Sequence, residues 1–329
     1  MSTQESENES PSYFFVAVSN KENLIDCRNY CLAGFPETGN AAWTFADIEI
    51  GDYISFLYSA KAHDLYRVIN KRAIANATKI GPWPPLEFNS GESYFPFRLD
   101  LHREREFQES LVRSEFQYVA ENLLLRGGYS RSHFQADRTT LQRVSQMGER
   151  NETDGESRDW ESAETTAQWV RKQGGFDPPE ESRFLEYTLH ALLRKHLATD
   201  QHIEAFLSTA GFTTLLNRDV EILGERALPE GHVDLLIRDA EPVGQATNVP
   251  IEVKLNRCSD DNLEQLRGYI RQLQPECPGG VLLAETIPRS FDVPEDIALV
   301  RASFDGIDMG NPQPINKMLS SLRLESVER

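Results

Sequence analysis

The sequence predicts two mixed α/β domains, on three observations. The chain has 329 residues, more than one hydrophobic core usually organises. Short apolar, β-branched runs alternate with segments of helical periodicity, first over residues 12–148 and again over 182–305. Between them, residues 149–181 carry ten acids against four bases, with Gly174-Gly175 and Pro178-Pro179 near the end. That composition reads as an acidic linker, with a transient helix near 165–172.

The first domain follows a polar, acidic tail, residues 1–11, read as disordered. Tyr13-Phe-Phe-Val-Ala-Val18 suits a buried strand. Asn20 is placed to cap a helix from about Glu22 to Leu32, with Gly34 as its stop. Glu49-Ile-Gly-Asp52 reads as a turn before a strand at Tyr53–Tyr58, and Asp64–Ile74 as another strand. Gly81-Pro-Trp-Pro-Pro85 is irregular, because proline fixes φ and removes donors. A strand at Tyr94–Leu101 and helices at Phe107–Leu125 and Thr139–Met147 complete the domain.

The second domain opens on a helical stripe from Phe184 to Leu197 and a second helix ending before Gly211. Thr213–Leu223 reads as extended, followed by strands at His232–Arg238 and Val249–Leu255. A helix at Asp260–Leu273 leads to strands at Gly280–Ala284 and Ala298–Arg301. That order predicts an α/β sandwich. Residues 306–329 are expected to form a C-terminal tail or helix.

Composition narrows the function classes. No apolar run is long enough for a membrane span, and the N-terminus lacks signal-peptide character, so a cytoplasmic protein is expected. Cys27, Cys31, Cys258 and Cys277 show no zinc spacing and read as buried thiols. No Walker, Rossmann or Ser-His-Asp signature occurs. The net charge is −18, unusual for a nucleic-acid binder, and only 8 of the 34 basic residues are lysines, a balance expected of a salt-loving cell. Two stretches run against the acidic trend, Lys61–Lys79 and Arg126–Arg143, and each could face a phosphate backbone.

Three charges stand oddly in apolar strands: Asp234 in His-Val-Asp-Leu-Leu-Ile, and Glu252 and Lys254 in Ile-Glu-Val-Lys-Leu. Residues i and i+2 of a strand share a face, and buried charges are costly without partners. Two carboxylates and an ammonium meeting at a divalent cation would remove that cost and suit phosphodiester hydrolysis. Pro229-Glu-Gly-His-Val-Asp234, Val249-Pro-Ile-Glu-Val-Lys254 and Glu264-Gln-Leu-Arg-Gly-Tyr269 resemble the PD-(D/E)XK nuclease superfamily. The likeness is to the C-terminal domain of NucS-type endonucleases and covers about residues 182–300. The resemblance implies a restriction-endonuclease-like α/β/α sandwich with a mixed sheet. It implies metal ligands at Asp234 and Glu252, with Mg²⁺ or Mn²⁺ as cofactor, and Lys254 acting on phosphate or water. It further implies that Gln265 and Tyr269 complete the site and that Glu186 contributes from the first helix. His232 stands where the family has Arg, and the basic run after Lys254 is only Leu255-Asn-Arg257.

The first domain does not resemble the N-terminal domain of that family. Its aromatic strand, Ser19-Asn20 helix start and Gly51-Asp52 turn look like the EVE/YTH-like branch of the PUA-like superfamily, a β-barrel with helices. Such a domain is expected to hold an extruded modified base, stacked on aromatic faces. Trp43 and Trp83 are the platform candidates, with Ser19 and Asn20 as edge readers, although capping also explains Asn20. His63, His102 and His133 carry no assigned role. Together the two likenesses imply a modification-dependent DNA endonuclease on double-stranded DNA, with a homodimer expected for cutting both strands. A repair endonuclease for mismatched or branched DNA, and a modification reader with an inactive nuclease half, are the alternatives.

Overall fold

The computed structural model describes residues 10–36, 39–59, 61–73, 82–88, 91–108, 132–154, 178–229, 231–240, 246–288, 291–307 and 315–327. The chain divides into two compact units, over Pro11–Trp169 and Val170–Arg329. Each is built on a mixed sheet, so the fold is the two-domain α+β class that the sequence predicts. No helix among the described residues is long and apolar enough to cross a membrane.

The first unit holds β1 (Tyr13–Ala17), α1 (Lys21–Tyr30), β2 (Leu32–Phe35), α2 (Gly39–Asp47), β3 (Tyr53–Tyr58), β4 (Lys61–Ala73), the small hairpin β5 (Leu86–Phe88) and β6 (Gly91–Ser93), β7 (Phe97–Glu106), β8 (His133–Ala136), α3 (Arg138–Val144) and β9 (Glu149–Asp154). Its sheet runs β2-β7-β4-β3-β1-β8, with β9 also paired to β7. No pairing among the described residues joins the two ends of that path. β1 and β3 are parallel and the other pairs antiparallel. Phe14, Ile54, Phe56, Tyr66, Val68, Leu99 and Leu101 are buried. Tyr13, Phe15, Leu57 and Leu65 form a second cluster with Phe107 and Val144. Each such side chain contributes about 1.5–3 kcal/mol on burial.

Several boundaries differ from the sequence reading, each for a local reason. α1 stops at Cys31, which takes the left-handed conformation (φ 44°) as its C-cap, and not at Gly34, which lies inside β2. Gly34 is needed there for another reason: a Cβ would come within 2.2 Å of the Trp83 ring. α2 went unread, because Gly-Asn-Ala-Ala-Trp-Thr-Phe-Ala-Asp offers apolar residues on most of its turn and little polar periodicity. The acidic linker begins with a strand: Glu149–Asp154 pairs with β7. Phe107 and Gln108 are not helical, residues 109–125 of the expected Phe107–Leu125 helix lie outside the described residues, and so do the tail at 1–9 and the 165–172 segment.

The second unit holds α4 (Pro178–Leu197), α5 (Asp200–Thr209), a 3₁₀ turn at Thr213–Leu215, β10 (Val220–Leu228), β11 (Gly231–Asp239), β12 (Asn248–Arg257), α6 (Asp260–Leu273), β13 (Gly280–Thr286), β14 (Ile297–Phe304), α7 (Ile315–Ser321) and β15 (Leu322–Ser326). The sheet order is β10-β11-β12-β13-β14-β15. β10, β11 and β12 are antiparallel, β12 to β14 parallel, and β15 antiparallel again. α4 packs on β10–β12 and α6 on β11–β13. α6 starts cleanly because Asn262 Oδ1 accepts from Ser259 N at 3.0 Å, joining the cap to the third helical residue. The C-terminus departs from the expected helix: α7 is short and β15 returns to the sheet edge, because Leu322-Arg-Leu324 alternates apolar and polar. All four cysteines are free and buried, as expected.

Candidate active site

β11 and β12 pair regularly only as far as Leu235 and Ile251. Beyond that point the strands part. The amide of Val253 donates to the Asp234 side chain, Oδ2, at 2.8 Å. The carboxylate of Asp234 therefore enters the mouth of a fork in the sheet. β12 continues into it and carries Glu252 and Lys254 on one face, beside Leu282 and Ala284 of β13.

Four charges meet in the fork. Lys254 Nζ lies 3.1 Å from Glu186 Oε1, 3.1 Å from Glu252 Oε1 and 3.8 Å from Asp234 Oδ2. Only the bond to Glu186 has hydrogen-bond geometry. Glu252 is wholly buried, and neither of its oxygens has a hydrogen-bond partner. Burial first, and the Asp234 carboxylate second, push its pKa up to about 8. Lys254 moves upward from its ordinary value despite its burial, because Asp234, Glu252 and Glu186 all favour the cation. Three carboxyl groups face one ammonium, more acid than that cation balances when all are ionised, which suits a cation-binding position.

α4 delivers more than Glu186. His190, one turn further along, is buried with Nε2 3.8 Å from Asp234 Oδ2. Sequence reasoning missed it because Thr-Leu-His-Ala-Leu-Leu reads as the core face of a helix. Its spacing of four from Glu186 was the available signal. Gln265 and Tyr269 of α6 do meet: Gln265 Nε2 donates to the Tyr269 hydroxyl at 2.6 Å, which donates to the His232 carbonyl at 2.7 Å.

Among the described residues, no group of three or more His, Cys, Asp or Glu side chains is arranged to hold a metal ion by itself. Magnesium does not need one: it takes one or two carboxylates and keeps waters and substrate phosphate. The buried oxygens of Glu252, met by one ammonium and lying beside Asp234, fit that demand.

The first unit arranges its candidate residues differently. Asn20 Oδ1 accepts from Asn23 N at 2.7 Å, a helix cap, and Ser19 Oγ accepts from Asn23 Nδ2 at 3.2 Å. Trp43 and Trp83, expected as platforms, are both buried. Trp43 lies on α2, edge-on to His133 with ring centroids 4.4 Å apart. Trp83 is outside regular structure, as its prolines require, yet packs on Gly34, Phe95 and the Arg98 guanidinium. A ring of that size gains more by covering core than by facing water. His133, given no role from sequence, bridges Asp47 (Nε2 to Oδ2, 2.8 Å) and Thr44 (Nδ1 to Oγ1, 2.9 Å).

No protein-family model matches the chain, and no curated protein matches it. Solved structures that overlap part of it include two with low TM-scores. One is the human THYN1 protein in complex with DNA containing 5-methylcytosine, 9% identical, covering 41% of this chain and 95% of that one, with a TM-score of 0.27. The other is a protein of Agrobacterium tumefaciens, 11% identical, covering 44% of this chain and 99% of that one, with a TM-score of 0.26.

Proposed function

We propose that the second unit is a divalent-cation-dependent endodeoxyribonuclease and that the first directs it to DNA carrying a modified base, as a modification-dependent restriction enzyme would. The observation that carries the nuclease reading is the convergence of Asp234, Glu252, Lys254 and Glu186 in the β11–β12 fork. Asp234 and Glu252 would hold Mg²⁺ or Mn²⁺. A bound ion would supply Lewis acidity at the phosphate.

The chain's own residues do the rest. The Val253 amide fixes Asp234, so its free oxygen has one orientation. Burial of Glu252 excludes water from its carboxylate and raises its demand for a cation. Lys254 is shared among carboxylates and can turn its ammonium to a phosphate oxygen or an attacking water, where charge develops in the transition state. Glu186 keeps that ammonium in the fork until substrate arrives. The base-reading half rests on the aromatic strand, the Ser19-Asn20 helix start and the Gly51-Asp52 turn of the first unit.

Methylated and unmethylated plasmid, incubated with Mg²⁺ and with Mn²⁺, test both halves. The expected result is cleavage of the modified plasmid alone, abolished by EDTA and strongly reduced by Lys254→Ala. Equal cleavage of both plasmids would remove the modification reading and keep the nuclease. Binding of modified DNA without cleavage under either ion would make the chain a reader.

A further inference from the structure

The fork that collects the carboxylates needs something to hold it open. Beyond Leu235 the N-terminal part of β11 keeps its ladder to β10, with Val233, His232 and Gly231 opposite Arg226, Ala227 and Leu228. On the β12 side that ladder has ended. The His232 carbonyl takes the Tyr269 hydroxyl at 2.7 Å, and Gln265 Nε2 completes the hydroxyl's bonding at 2.6 Å. The Tyr269 ring is buried, in a cluster with Leu223, Val233 and Leu236. Gly231 lies directly under it: a Cβ there would stand 3.0 Å from the hydroxyl oxygen.

We infer that Tyr269 is a positioning residue, a strap from α6 that keeps β11 parted from β12 so that Asp234, two residues beyond His232, reaches the Val253 amide. No bond from its hydroxyl goes to Asp234, Glu252 or Lys254; both go to Gln265 and the His232 backbone. Gln265 orients the hydroxyl, and Gly231 leaves the space it needs. The strap's effect on catalysis rests on the nuclease reading above, whereas its effect on the fork does not.

The experiment uses the full chain and Tyr269→Phe, which keeps the ring and removes one oxygen. Residue-resolved hydrogen exchange should show the Val253 amide exchanging about tenfold faster, the scale of one lost hydrogen bond, with Val281 and Leu283 of β13 unchanged. Gln265→Ala should give a smaller change in the same direction. If the chain cuts DNA, kcat should fall about tenfold for Y269F with KM unmoved, because the substrate-binding surface is untouched. Unchanged or slower exchange at Val253 in Y269F would overturn the inference. If Y269F loosens β13 as much as Val253, Gln265→Ala decides, since it leaves the phenol in the core: selective loss at Val253 supports the strap and uniform or absent loss refutes it. A wild-type chain that cuts no DNA would defeat the nuclease reading while the exchange result still stands.

Discussion

Two carboxylates, one in each unit, are equally shut off from water and are treated in opposite ways. Asp64 of β4 accepts from Arg28 Nε (2.8 Å), the Tyr66 hydroxyl (2.9 Å) and the Phe107 amide (3.0 Å), with Arg103 3.8 Å away. It sits at a bulge in the left-handed conformation (φ 52°), where an Asp is tolerated better than most residues. Glu252 of β12 has a single close cation, Lys254 at 3.1 Å, and two carboxylate neighbours. A buried charge with every lone pair used holds a fold together; one left wanting is poised to take a ligand. The pair teaches that burial alone does not distinguish structure from site, whereas the satisfaction of the buried group does.

The comparison can be broken by exchanging the consequences. Lys254→Ala should lower DNA cleavage by about 10²–10³-fold, the cost of a lost transition-state charge contact, and Glu252→Gln should do the same while leaving the melting temperature unchanged or higher. A fall in melting temperature for Glu252→Gln would place Glu252 with Asp64. Asp64→Asn should unfold the first unit more easily by about 3 kcal/mol, the low end for breaking a buried ion pair, read by denaturant titration, with the unfolding transition of the second unit unaffected. Gly34→Ala, which drives a Cβ into the Trp83 ring, should cost about 2 kcal/mol in the same titration.

The smallest effect is one of pH. His196 stacks on His202 with centroids 3.9 Å apart, and burial, His202 and Arg323 push its pKa down to about 4. Above the ordinary imidazole value of 6.5 both folded and unfolded forms are neutral and nothing is lost. As pH falls from 6.5 towards 4, the unfolded chain takes a proton that the folded one refuses, so stability falls with pH. Allowing for partial exposure, the loss should be about 1 kcal/mol. His196→Gln should flatten that slope, and an unchanged slope would show that the stack is not its source.

The site was more legible than the frame around it. Asp234, Glu252 and Lys254 could be found because charges inside Val-Asp-Leu-Leu and Ile-Glu-Val-Lys contradict the apolar strands that carry them. Glu186 came only through the family likeness, and His190 was hidden by its apolar helical setting. The fork itself could not be read, since it depends on a side chain taking a backbone amide. In the first unit, β9 was lost because Glu-Arg-Asn-Glu-Thr-Asp has neither apolar alternation nor β-branching beyond one Thr. Trp83 was read from its prolines, which set the backbone correctly but say nothing of what Gly34 leaves room for.

That acidic strand also settles where the first unit can be cut. β7 is flanked along Phe97–Asp100 by β2 and along His102–Glu106 by β9. A fragment ended at Gly148, the boundary that composition suggests, would leave the second stretch of β7 with bare amides and carbonyls, a template for pairing with another chain. Such a fragment would be more prone to self-association through that edge than one carried past Asp154, where the outer strand is the charged Glu149–Asp154.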